Sequence, residues 1–105
     1  MSALTVLVDD DALVRLTWKT AASRGGHEFR SFESPETFFA DSTIPTDAIL
    51  YIDWQLTKDG TAESFLNELK GKGFADISIA TGQDAKDLPK LEFVREITGK
   101  NPPWK

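Results

Sequence analysis

Apolar residues in this chain arrive in short blocks that stop abruptly on polar ones. Leu4 to Val8 is a compact apolar run ending on Asp9, Asp10 and Asp11, the pattern of a strand buried on both faces that surfaces at its carboxyl end. From Ala12 the period changes. Leu13, Leu16 and Thr17, with Val14, Trp18, Ala21 and Ala22 alongside, recur at three- and four-residue spacing until Ser23, Arg24, Gly25 and Gly26, which predicts a helix with the aspartates at its N-cap and the glycines at its end. Glu28 to Phe32 reads as a short strand, and Ser34 followed by Pro35 as the cap and first turn of a helix through Phe38 and Phe39. Ala48 to Ile52 repeats the first pattern and ends on Asp53. The polar stretch Gln55 to Gly60 separates it from a helix carrying Ala62, Phe65, Leu66 and Leu69, stopped by Gly71 and Gly73. Ile77 to Ala80 is a fourth strand ending on Thr81 and Gly82, Pro89 interrupts any helix from Asp84, and Phe93 to Thr98 reads as a fifth short strand. Gly99 to Lys105 contains two prolines and reads as irregular.

Strands alternating with helices at these spacings predict an α/β fold: a doubly wound, five-stranded parallel sheet, right-handed crossovers, helices on both faces, and function at the carboxyl ends of the strands. The length of 105 residues fits a single domain spanning 1–105, and 40% hydrophobic with 28% charged residues is ordinary globular composition. The charge of -5, with 12 scattered basic residues against 17 acidic ones, disfavours direct contact with nucleic acid. The absence of cysteine excludes disulfides, thiolate metal sites, iron–sulfur clusters and a cysteine nucleophile, and points to the cytoplasm. The apolar runs fall far short of the ~18 residues of a membrane span, and the first residues lack the pattern of a secretory leader. With one histidine, a zinc site or a Ser/His/Asp triad is effectively excluded. The glycine pairs end helices instead of opening them, so no phosphate loop is present.

The candidate chemistry lies where the strands end. Asp9 and Asp10 close the first, Asp53 the third and Thr81 the fourth, and a parallel sheet brings all of them to one rim. Three carboxylates at close range repel, and a hard divalent cation relieves them: Mg²⁺, or Mn²⁺, takes a few carboxylates and retains waters that a phosphate can replace. The motifs VLVDDD (6–11), YIDWQ (51–55), IATG (79–82) and the late Lys100 followed by prolines resemble the receiver domain of bacterial two-component response regulators, the CheY-like phosphoacceptor domain with a flavodoxin-like three-layer fold. The resemblance covers Leu4 to about Pro103. It implies that Asp53 accepts a phosphoryl group from a histidine kinase or phosphotransfer domain. It also implies that Asp9, Asp10, Asp53 and the backbone carbonyl of Gln55 hold Mg²⁺, that Thr81 hydrogen-bonds the phosphoryl group, and that Lys100 pairs with it. Gln55 and Gln83 stand at positions that in this family tune hydrolysis.

The chain departs from the family pattern near its end. Asn101 separates Lys100 from Pro102 and Pro103, where the family has Lys followed directly by Pro, and Ile97 stands where an aromatic switch residue is common. The short spacing from Thr81 to Lys100 implies a shortened fourth helix, and the residues after Lys100 leave no room for a fifth. The sheet face shared with the first helix, around Leu13, Leu16 and Val6, is then expected to be incompletely covered, with the Pro102 to Trp104 segment either folding over it or serving a contact. Trp18 and Phe65 are expected in the core, Trp54 beside the pocket, and His27 in a surface turn at the opposite rim. Taken singly, the first aspartates could be helix caps, Asp53 a turn former and Lys100 a solvated surface residue. The reading that unites them is a signalling module, not an enzyme beyond its own self-catalysed phosphorylation and dephosphorylation. It would have no effector domain of its own and would signal through an unidentified output protein, through domains outside these residues or by relay to another histidine. It could be a free-standing regulator or the receiver segment of a hybrid sensor kinase, without membrane insertion and compatibly with a weak homodimer. Two alternatives are a pseudo-receiver that binds proteins without being phosphorylated, and a small Mg²⁺-dependent phosphatase. The haloacid-dehalogenase type of phosphatase needs a second acid where Gln55 stands.

Overall fold

Five four- or five-residue strands form in a computed structural model of the chain, which describes residues 4–55, 62–82, 86, 88 and 91–104. They are β1 (Thr5–Val8), β2 (Phe29–Phe32), β3 (Ile49–Ile52), β4 (Asp76–Ala80) and β5 (Val94–Thr98), interleaved with the helices α1 (Ala12–Gly25), α2 (Pro35–Ala40) and α3 (Glu63–Gly71). All pairings are parallel, in the order β2-β1-β3-β4-β5. This is the expected doubly wound sheet. The expected fourth helix falls on 83–90, where only Lys86 and Leu88 are described, and Gln83 and Pro89 lie outside the described residues. Among the described residues, no helix follows β5.

Local chemistry sets the element ends. Asp11 caps α1 by accepting the amide N–H of Leu13 at 2.9 Å, and Gly26 ends it in the left-handed conformation at φ 70°, where a Cβ is disfavoured. Of the three aspartates, Asp11 is thus the cap. Ser34 and Thr37 form a reciprocal capping box with Pro35 in the first turn of α2, satisfying amides that a six-residue helix would otherwise leave bare.

Side chains alternate across the sheet. Val6, Val8, Leu50, Ile52, Ile77 and Ile79 point to one face, where Phe38 of α2 and Phe65, Leu66 and Leu69 of α3 cover them. Leu7, Tyr51 and Ala80 point to the other, where Trp18 of α1 meets them with Val14, Phe29 and Trp104 at its edges. Three expectations need correction here. Val6 belongs to the α2–α3 face and Leu7 is its counterpart under α1, because residues alternate along a strand. Leu13 and Leu16 are 70% and 58% exposed, while Trp18 and Ala22 are the residues of α1 that are buried; with only one large side chain facing the sheet, α1 is rotated to seat the indole. Trp54 is a core residue packed with Phe65 and Leu66, not a wall of the pocket. The last described residues, 99–104, are irregular as expected, and they do fold over the α1 face. The Trp104 ring packs edge-on to Trp18 at 6.0 Å and to Phe29 at 5.5 Å.

Candidate functional site

In-register pairing brings the predicted residues together. Val8 lies beside Ile52 and Ile52 beside Ile79, so Asp9, Asp53 and Thr81, which follow these positions, emerge on one rim. The backbone continues the ladder one step further: Asp53 N–H donates to Val8 O at 2.9 Å and Thr81 N–H to Thr98 O at 2.9 Å. The second of these bonds delivers the chain into Lys100, two residues beyond β5.

Asp9 and Asp53 are buried and Asp10 is exposed, and one carboxylate oxygen from each lies within 4.8 Å of the others. The Lys100 ammonium sits between two of them, 2.5 Å from Asp9 Oδ2 and 2.9 Å from Asp53 Oδ1. Burial by itself would lower the lysine's pKa, but its hydrogen bonds to Asp9 and Asp53 and their negative charges outweigh that and hold it above the usual lysine value. Asp9 Oδ1 accepts the Asp11 amide at 2.9 Å, and Asp53 Oδ1 accepts that of Gln55 at 3.2 Å. A cleft of about 330 Å³ opens beside them, reached by Thr81, Gly82 and Gln55 as well as the acids and Lys100. The donor set, carboxylates converging at the mouth of a polar cleft, suits a hard divalent cation better than any softer metal.

Asp9, Asp10, Asp53, Gln55, Thr81 and Lys100 therefore all reach this rim, while Gln83 lies outside the described residues. Asn101 does not keep Lys100 from it. His27 is at the opposite end of the sheet, as expected, though it is not an idle turn residue: its ring stacks on Trp104 at 5.1 Å. Two contributors escaped the sequence reading. The Arg15 guanidinium donates to the backbone carbonyl of Asp9 at 2.7 Å, which could have been found from its place one turn into α1. The Trp18 indole N–H donates to Lys100 O at 2.8 Å across 82 positions, a contact with no local signal.

No protein-family model matches the sequence, and no curated protein does. Solved structures do match. The chain superposes over its whole length on the response regulator StyR with a TM-score of 0.74 at 19% identity, spanning 54% of that protein. A CheY-like response regulator receiver domain protein from Methanospirillum hungatei matches over 98% of the chain and 84% of its own, with a TM-score of 0.66 and 22% identity. A response regulator from Thermotoga maritima matches over 100% and 88%, with a TM-score of 0.71 and 16% identity. The fold is thus the CheY-like, flavodoxin-like fold of response regulator receivers.

Proposed function

We propose that residues 1–105 form a phosphoacceptor receiver domain of a two-component phosphorelay, with Asp53 as the acceptor. The observation that carries this reading is the Lys100 ammonium joining Asp9 to Asp53 inside a cluster of three carboxylates at the carboxyl rim. Ion pairs are common, but a lysine 91 residues from its partner that bridges two buried acids beside an open cleft is a poised charge constellation.

Asp9, Asp10, Asp53 and the carbonyl of Gln55 would hold Mg²⁺ or Mn²⁺. Bound there, the cation would neutralise oxygens of the incoming phosphoryl group and relieve the repulsion between it and the acids. A carboxylate oxygen of Asp53 attacks the phosphorus of a phosphohistidine on a histidine kinase or phosphotransfer domain. The P–N bond breaks, the imidazole leaves and takes up a proton, and an acyl phosphate forms on Asp53. Lys100 pairs with a phosphoryl oxygen and Thr81 donates a hydrogen bond to another. Water later attacks the phosphorus, releasing inorganic phosphate and restoring the carboxylate. Output passes to a protein partner, and the setting that suits this chemistry is the cytoplasm.

Incubation with acetyl phosphate and Mg²⁺, followed by intact mass measurement, tests the reading. One phosphate should be added to the wild type, none in EDTA and none to Asp53→Ala. Modification that persists in Asp53→Ala would place the acceptor elsewhere and overturn the assignment.

A further inference from the structure

The group that completes the site belongs to a segment without regular structure. Lys100 follows β5 in a bend, and Pro102 and Pro103 come two residues later, which stiffens the chain but offers no amide N–H to anchor it. A lysine stem has four rotatable bonds and does not place its own ammonium. The backbone beneath it must be held.

The holding contact is the Trp18 indole N–H, 2.8 Å from the carbonyl oxygen of Lys100. Trp18 is fully buried, with its ring against Tyr51 at 5.2 Å and Trp104 at 6.0 Å, so its direction is set by packing on both sides. A buried indole N–H needs an acceptor. An apolar ring would fill the same space without that demand, and the acceptor used here is the main chain of Lys100, whose side chain spans Asp9 and Asp53. Beyond it, Trp104 lands on Phe29 and stacks on His27, pinning the far end of the same segment. Lys100 is thereby gripped at its carbonyl by α1 and at its ammonium by the two acids.

We propose that Trp18 is a positioning residue: its N–H holds the Lys100 backbone where the ammonium reaches both Asp9 and Asp53, and through that contact it sets the rate of phosphoryl transfer. The effect on rate rests on the phosphoacceptor reading above; the effect on Lys100 does not.

Trp18→Phe removes the donor, and 3-benzothienylalanine at position 18 removes it while retaining the bicyclic shape. In nitrogen-15 spectra selective for lysine ammonium groups, Lys100 should give a signal protected from solvent exchange in the wild type. That signal should be lost in both variants. With acetyl phosphate and Mg²⁺, both variants should accept phosphate about three- to tenfold more slowly, the worth of one net hydrogen bond. In a Lys100→Ala background the same replacements should change the rate no further, because the contact acts only through that lysine. Three results would overturn the proposal: a Lys100 signal unchanged in the variants, a benzothienylalanine protein that behaves as wild type while the phenylalanine variant does not, or a Trp18 effect that persists undiminished in Lys100→Ala. Failure of the wild type to take up phosphate would overturn the phosphoacceptor reading and the proposed effect on rate, while the ammonium spectra still decide whether Trp18 places Lys100.

Discussion

Asp9 and Asp10 are neighbours with opposite duties. Asp9 is fully buried and its carboxylate takes both the Lys100 ammonium and the Asp11 amide. Asp9→Ala leaves the Lys100 ammonium with Asp53 alone and the Asp11 amide without its acceptor, and thermal denaturation should show a loss of about 1–2 kcal/mol. Asp10 is exposed and contributes charge to the cluster without a bond that the fold depends on. Asp10→Asn should leave the metal-free midpoint unchanged or slightly raised while calorimetry shows weaker Mg²⁺ binding; a clear loss of stability would give Asp10 a structural role instead. Tyr51 supplies a pH test. Burial first, and the Glu96 charge second, raise its pKa above 10. A group whose folded pKa is raised supports the fold below the unfolded value of about 10 and loses that contribution as pH climbs through the folded one. Because Tyr51 is the only tyrosine, tyrosinate absorbance reports it directly. Its ionisation should be delayed beyond pH 10, and Tyr51→Phe should flatten the alkaline decline in stability.

At the scale of elements, what lies across the α1 face is decided by one ring. The residues after β5 have no ladder or helix of their own among the described residues, and Trp104 reaches Trp18, Phe29 and His27. A half-buried indole at the centre of such a cluster is worth about 1–2 kcal/mol in burial and ring contacts. Removing residues 102–105 should lower the thermal midpoint accordingly. It should also widen the groove that Leu16, Thr20, Pro102 and Trp104 now line, and with Leu13 and Leu16 already exposed this favours self-association, which light scattering would detect. A truncated protein that matches the intact chain in both measurements would reduce the segment to a tether.

The molecule as a whole joins a thick apolar layer under α2 and α3 to a thinner one under α1, and concentrates negative charge where the strands end. Anything that binds this rim in the folded state stabilises the fold by mass action, about 2.7 kcal/mol at a hundredfold excess over the dissociation constant. Mg²⁺ should therefore raise the thermal midpoint in a concentration-dependent way. EDTA should reverse the rise, and Asp53→Asn should reduce it. A midpoint indifferent to Mg²⁺ would overturn the cation assignment at this rim.

The strand-and-helix order was legible from the chain because burial on both faces writes itself as unbroken apolar runs, and because Asp11 and Ser34 accept from amides, and Gly26 donates to carbonyls, within a few residues of themselves. The rim residues were legible for a related reason: parallel strands in register must end together, so Asp9, Asp53 and Thr81 could be placed from the chain alone. Facing was not legible in the same way. Leu13, Leu16 and Trp18 all fit a helical period, and only packing against Tyr51 and Trp104 decided that the indole turns inward and the leucines outward. Trp54 went to the core by the same competition for space. What tertiary structure alone decided is how an irregular segment serves the site. A hydrogen bond between Trp18 and Lys100 joins residues 82 positions apart, and no local pattern encodes it, since it exists only once α1 and the segment after β5 are laid on the same face of the sheet.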